Sequence, residues 1–192
     1  MSPELGLLVS PRLTYRALVR GRARVSPVAA LRRPLLAAAV IGVSVSIGAT
    51  GRASPALVAA TTVTWSYIVL LQLAIAVPLI AGGARRTVGL ARAVDLFFAG
   101  HAPWSLFALV AAAWAPSPAG RPMWPLVVAF VLPIALTPRI VAAFFAEVFG
   151  LERHAARRMT IVHQTITWTV FSVLFWIVNA VSPRLLELLG RS

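Results

Sequence analysis

Few side chains in this sequence could take part in chemistry, and most of those that could lie inside long apolar segments. The chain of 192 residues has five acidic residues, three histidines and no cysteine. Without cysteine, disulfides and thiolate chemistry are excluded, and so few carboxyl groups leave little scope for acid–base catalysis. The ionisable and amide side chains within apolar segments are Gln72, Asp95, His101, Arg139, Glu147, His163 and Gln164.

Sequence motifs of enzymes do not accompany these residues. The chain has no Gly-x-Ser-x-Gly turn, no phosphate-binding loop and no His-Glu-x-x-His. His101 and His163 are too far apart for a local metal-ligand pair. Ser105 lies four residues after His101 but lacks a third group to orient that histidine. We therefore predict a protein that is not an enzyme and that has neither a metal site nor a cofactor.

Charged side chains at membrane depth are costly, so each one is a functional candidate. They could line a polar cavity open to the cytoplasm, with Arg139, the most buried charge on this interpretation, at its centre. Alternatively they could extend to the membrane surface, with Asp95 paired to Arg92 three residues earlier. A fixed partner of Arg139 would be Asp95 or Glu147. The predicted polar cluster comprises Asp95, His101, Arg139, Glu147, His163 and Gln164.

Five apolar segments contain these residues. The composition is 59% hydrophobic and 12% charged, whereas soluble domains carry about 25% charged residues. About 20 residues cross the hydrocarbon core as a helix. Small residues from Gly42 to Gly48 indicate a close helix–helix approach in the first segment. We predict an all-α, polytopic membrane helix bundle with five transmembrane helices, at about 35–50, 56–81, 95–115, 122–148 and 159–182.

The basic residues, all of them arginine, give a net charge of +13 and alternate in density between the segments. The stretch before the first segment and the second and fourth loops are rich in arginine, whereas the first and third loops have one each. Positively charged loops remain in the cytoplasm, so we predict a cytoplasmic N-terminus and an external C-terminus. We attribute the charge to topology and anionic lipid rather than to nucleic acid.

Residues 1–33 form a basic cytoplasmic arm ahead of the five-helix domain at 34–192. Ser10-Pro11 predicts a helix start, after which Arg12, Arg16 and Arg20 share one face. We expect these three arginines to bind anionic lipid. A helix lying on the membrane surface and a solvated arm remain alternatives. The absence of lysine beside abundant arginine, alanine and proline indicates a GC-rich genome, and hence a bacterial inner membrane.

Three stretches of the chain have a familiar order of features, namely SPRLTYRALV, GGARRTVGLARAVDLFFAGHAPWSLFAL and PRIVAAFFAEVFGLERHAARRMTIV. They resemble the Yip family, the Rab-interacting five-span membrane proteins and their bacterial relatives. The resemblance implies a cytoplasmic N-terminus, an external C-terminus and a non-enzymatic organiser or adaptor. The long acidic cytoplasmic region of eukaryotic members is absent, so Rab binding is not carried over.

The leading functional hypothesis is a membrane scaffold or accessory subunit that acts through helix–helix and lipid contacts. Its basic inner face would bind anionic lipid or an acidic protein partner, and it could also form a homo-oligomer. One alternative is a small transporter-like unit that uses the cytoplasm-facing polar cluster. Another is an accessory subunit of a redox or photosynthetic membrane complex, in which His101 or His163 faces a tetrapyrrole.

Overall fold

The computed structural model describes residues 2–21, 25–82, 87–114, 122 and 124–189, with the backbone alone at 175 and 178–189. Across these ranges the regular structure is helical, and no strand occurs. The all-α prediction is therefore confirmed. In chain order the helices are α1 (Pro3–Val9), α2 (Pro11–Arg20), α3 (Pro27–Ala30), α4 (Arg32–Thr50), α5 (Pro55–Gly82), α6 (Leu90–Ala99), α7 (Ala102–Trp114), α8 (Trp124–Phe149) and α9 (Arg153–Leu189).

Serine followed by proline marks the start of the first three helices. Pro is favoured in the first turn because the N–H groups of that turn have no acceptor within the helix, so the N–H that proline lacks costs no hydrogen bond. The hydroxyl of Ser2 accepts a hydrogen bond from Leu5, and that of Ser26 accepts one from Ala29. The helix start predicted at Ser10-Pro11 is confirmed, although the Ser10 side chain makes no capping bond. These local signals divide the N-terminal arm into short helices that can turn against the bundle.

Four helical stretches in the part of the chain that the structure describes are long and apolar enough to cross a membrane. They are Pro27–Thr50, Pro55–Gly82, Leu90–Trp114 and Trp124–Phe149. They match the first four predicted spans to within a few residues, except that the first begins earlier. The predicted fifth span lies in α9, and its last part falls outside the residues whose side chains are described, so it remains a prediction.

The third stretch is a single candidate span by length and composition, as the sequence predicts, but it consists of two helices, α6 and α7. The amides of Gly100 and His101 donate to the carbonyls of Phe97 and Phe98, three residues back, at 3.0 and 3.1 Å. This tighter turn ends α6, and Pro103 lies in the first turn of α7. A Cβ at Gly100 would lie 2.9 Å from the Tyr15 hydroxyl oxygen. The break therefore sits where another part of the chain approaches closely.

The N-terminal helices belong to the same apolar core as the membrane-spanning stretches. Leu7 in α1 and Tyr15 in α2 are both 0% exposed. They cluster with Leu96 and Phe97 of α6 and with Phe144 of α8. Helix α2 thus lies against the protein at the end of the bundle where α6 begins and α8 ends. We call this end, formed by α1, α2, the start of α6 and the end of α8, the basic end.

Gly42 brings α4 and α5 into close contact, and we expect Gly42→Ala to destabilise the protein by about 1–3 kcal/mol, as overpacking does. The added Cβ would overlap the Thr62 hydroxyl oxygen and would lie 2.8 Å from the Thr62 backbone nitrogen. The hydroxyl could rotate away, but the backbone could not. Denaturation in detergent measures the loss. Gly82→Ala is the control, because no neighbouring atom of the described residues would lie within 4 Å of its added Cβ. Equal stability of the two variants would contradict this contact.

Candidate functional site

Glu147, near the end of α8, anchors helix α2 to the bundle. One oxygen of its carboxylate accepts from Arg12 Nε at 2.7 Å, and the other accepts from Arg16 Nε at 3.1 Å. Two of the three arginines predicted to share a face, Arg12 and Arg16, thus reach one carboxylate. The hydrogen bond to Glu147 raises the pKa of Arg16. Arg20 has no ion pair with any described residue, and lipid binding by the three arginines remains a prediction.

Asp95 of α6 connects two further helices at the basic end, α4 directly and α1 through Arg33. It is only 6% exposed, and its two oxygens accept from Arg33 and from Arg92 Nη1, the latter at 2.8 Å. The pairing with Arg92 agrees with the three-residue spacing. Arg33 also donates to Glu4 of α1 at 3.0 Å. Burial of Glu4 acts to raise its pKa, but its hydrogen bonds and the charge of Arg33 outweigh burial and lower the pKa overall.

Arg139 is exposed on α8, and it forms no ion pair within the described ranges. The two carboxylates considered as its fixed partners, Asp95 and Glu147, are bound by arginines of the N-terminal segment and of α6 instead. The structure therefore gives no support to a fixed ion pair of Arg139. The alternative, in which its side chain extends to the membrane surface, remains a prediction.

We expect Glu147→Gln to loosen α2 without unfolding the bundle. Arg12 is 64% exposed, and ion pairs of exposed groups contribute about 0–1 kcal/mol. Hydrogen exchange of residues 11–20 in detergent should accelerate in this variant, and high salt should accelerate it in the unaltered protein. Arg139→Leu is the control and should leave exchange unchanged. Exchange of α2 that responds to neither the substitution nor salt would contradict this role of Glu147.

A cavity of about 360 Å³ lies beside the break between α6 and α7. Three members of the predicted polar cluster line it, namely His101, His163 and Gln164, together with Gln72 of α5. Asp95, Arg139 and Glu147 are not among its lining residues. The structure thus places three members of the predicted cluster at the cavity and two, Asp95 and Glu147, at the basic end, whereas Arg139 belongs to neither. The other side chains that line the cavity are chiefly apolar and aromatic. No pattern in the sequence indicates that these residues lie beside the two histidines.

Aromatic rings form the wall of this cavity near its centre. The ring of Phe97 contacts those of His101 and His163, with centroids 5.2 and 5.3 Å apart. Tyr15 closes the cavity towards the basic end, and its hydroxyl donates to the carbonyl of Leu96 at 3.2 Å. Burial raises the pKa of Tyr15, so this group remains a neutral hydroxyl. A tyrosine from the N-terminal arm is therefore part of the cavity.

Hydrogen bonds to the backbone and to Gln164 fix the roles of the two histidines. His101 Nδ1 lies 3.4 Å from the Phe97 carbonyl, which can only accept, so its Nε2 is left as an acceptor. The Gln164 amide nitrogen lies 3.5 Å from His163 Nδ1. With the Gln164 amide in this orientation its N–H₂ donates to Nδ1, and a neutral His163 then carries its proton on Nε2.

Two polar atoms of the cavity lining have no partner. They are His163 Nε2 and the Thr167 hydroxyl oxygen, both buried and without a hydrogen bond to any described residue. A buried polar group left unpaired costs about 1–3 kcal/mol, and native structures contain few of them. Two such groups beside one apolar cavity are candidates for hydrogen bonds with a molecule that occupies it.

Among the described residues, no group of three or more His, Cys, Asp or Glu side chains is placed to hold a metal ion. Comparison with protein-family models, curated proteins and solved structures finds no match to this chain.

Proposed function

We propose that this chain is a non-enzymatic accessory subunit or scaffold of a membrane assembly, and that it holds a small apolar molecule inside its helix bundle. The single observation that carries this proposal is the apolar cavity beside the α6–α7 break. Ligand sites are concave and mostly apolar, with a few polar groups placed to orient the ligand. The cavity has this composition, and His101 and His163 are its orienting groups.

The ion pairs of the basic end support a binding role over a role for the polar cluster in transport. The carboxylates of Asp95 and Glu147 are each held by two arginines. Charges neutralised within the protein are not free to bind a polar substrate. Their arginines hold the N-terminal helices in place, and Tyr15 of α2 then closes one side of the cavity.

Purification of the full chain in a mild detergent tests this proposal. Extraction and mass spectrometry should find one apolar molecule retained by the protein, and the same preparation should reveal protein partners. Ala108→Phe places a ring in the cavity and should remove the retained molecule. Equal retention by both proteins, or retention by neither, would overturn the proposal. A visible absorbance band in the extract would identify the molecule as a pigment.

A transporter-like unit is the second candidate, and the interrupted third span favours it. Transporters commonly bind substrate near the membrane midplane, beside discontinuous helices. The α6–α7 break at Gly100-His101 borders the cavity in this way. Reconstitution into vesicles discriminates the two functions. A transporter would carry the copurified molecule across the bilayer, whereas an accessory subunit would retain it.

For the topology, we propose a fifth span in α9, an N-terminus in the cytoplasm and an external C-terminus, in a bacterial inner membrane. The alternation of arginine between loops supports this arrangement, as does the resemblance to the Yip family. The chain lacks cysteine, so single cysteines at Ser54 and Ala84 can be compared. We expect an impermeant thiol reagent added outside to label the first and not the second. Labelling of Ala84→Cys alone would show that the protein has the opposite orientation in the membrane.

A further inference from the structure

The cavity has room for a substituted ring. An apolar cavity of about 150 Å³ stays dry and binds benzene, and this one measures about 360 Å³. Aromatic rings form part of its wall. Among them, Trp104 contacts both Phe130 and Trp168 edge to face. Flat rings pack favourably against such surfaces, either offset or edge-on. The shape and lining therefore favour a planar aromatic or quinonoid molecule over a polar one.

Two hydrogen-bond donors lie together on α9. His163 is 3% exposed, and its unpartnered Nε2 carries the proton. Thr167 follows four residues later, so the two side chains share one face of the helix. Its hydroxyl is also unpartnered and can donate. Two neighbouring donors in an apolar cavity are complementary to one carbonyl oxygen, which has two lone pairs.

The Nε2 atom of His101 is a hydrogen-bond acceptor, unlike the two donors on α9. His101 contacts Phe97, as His163 does, and its Nε2 is an acceptor because Nδ1 faces the Phe97 carbonyl. A ligand could therefore accept at His163 and Thr167, and donate at His101. A quinone supplies carbonyl oxygens, and its reduced form supplies hydroxyl groups at the same positions. The oxygen of a quinone can accept from the two α9 donors, and the reduced form, a quinol, can in addition donate from a hydroxyl group to His101 Nε2.

We propose that the cavity binds a membrane-soluble quinone, with one oxygen of the ring hydrogen-bonded to His163 Nε2 and the Thr167 hydroxyl. This inference rests on the proposed function, since it assigns the chemical class of the molecule that the cavity holds. It requires binding alone, and no electron transfer to or from the protein.

Ligand-dependent thermal unfolding of the full chain in detergent tests the assignment. The probes are decylubiquinone and decylbenzene, which share the alkyl chain but differ in the oxygens of the ring. A ligand that binds only the folded state raises the unfolding temperature with concentration. We expect decylubiquinone to bind the unaltered protein more tightly than decylbenzene does.

Substitutions on α9 isolate the hydrogen bonds. Thr167→Val keeps the shape and removes the hydroxyl, and His163→Phe keeps a ring and removes the donor. We expect each to weaken decylubiquinone about fivefold to tenfold, the effect of one hydrogen bond, with decylbenzene unchanged. Thr160→Val is the matched control, because Thr160 is a buried threonine of the same helix that does not line the cavity, and its hydroxyl donates to the Ala156 carbonyl.

The outcomes separate this inference from the proposed function. Equal binding of both probes, with Thr167→Val without effect, would overturn the quinone assignment and leave an apolar binding site. Binding of neither probe, in the unaltered protein and in Ala108→Phe alike, would overturn both. If Thr160→Val weakens the binding of decylubiquinone as much as Thr167→Val does, the assignment is also overturned, since the effect is then not specific to the cavity.

Discussion

Asp95→Leu is expected to lower the free energy of unfolding by about 3 kcal/mol, because it leaves two guanidinium groups without their carboxylate. Arg33 and Arg92 are 26% and 16% exposed and share the two oxygens of Asp95. Removal of one member of a partly buried ion pair costs more than the pair itself contributes. Denaturation of the purified protein in detergent measures the loss.

A double substitution identifies the pair as the cause. Arg33→Leu combined with Asp95→Leu should recover part of the loss, because both charges are then removed together. Glu152→Leu is the matched control. Glu152 is an exposed acid beyond the end of α8, and its replacement should change stability by less than about 0.5 kcal/mol. Equal effects of Asp95→Leu and Glu152→Leu would show that Asp95 does not hold the basic end together.

Tyr15→Ala is expected to cost about 3–5 kcal/mol, the range for truncating a buried aromatic side chain. The Tyr15 ring is fully buried and contacts Phe144 edge to face, with centroids 5.7 Å apart. The same substitution removes one wall of the cavity. We therefore expect the retained apolar molecule to be lost along with stability, as measured by denaturation and by extraction of the purified protein.

Tyr15→Phe separates packing from hydrogen bonding at this position. It keeps the ring and removes only the bond to the Leu96 carbonyl, so its expected cost is about 0.5–1.5 kcal/mol. The retained molecule should remain. A Tyr15→Ala protein as stable as the unaltered chain would show that α2 is not packed into the core.

The apolar spans could be predicted from the sequence because hydrophobicity is a property of each segment by itself. The bounds of α5 and α8 follow from length and composition, and the pair Arg92–Asp95 follows from helical spacing. The break in the third span was missed, although Gly100 and Pro103 mark it. Glycine and proline are tolerated in membrane helices, so their presence alone did not distinguish a break from a continuous helix.

The candidate site could be predicted only in part because it depends on contacts distant in sequence. His101 and His163 were identified by their polarity at membrane depth. Tyr15 was not, since its burial depends on α2 folding back onto α6 and α8. Glu147 binds arginines 131 and 135 residues away, and no local pattern records such a pairing. The resemblance to the Yip family and the predicted scaffold role remain predictions.

The distance along the chain between α2 and Glu147 has a consequence for biosynthesis. A ribosome adds about 5–20 residues per second, so on the order of ten seconds separate synthesis of Arg12 from that of its partner, 135 residues later. During that interval Tyr15 and Leu7 have no α8 to pack against. An arginine-rich amphipathic segment in this position would rest on the anionic leaflet. Docking of the N-terminal helices would then be a late step of assembly, after membrane insertion of the fourth apolar stretch.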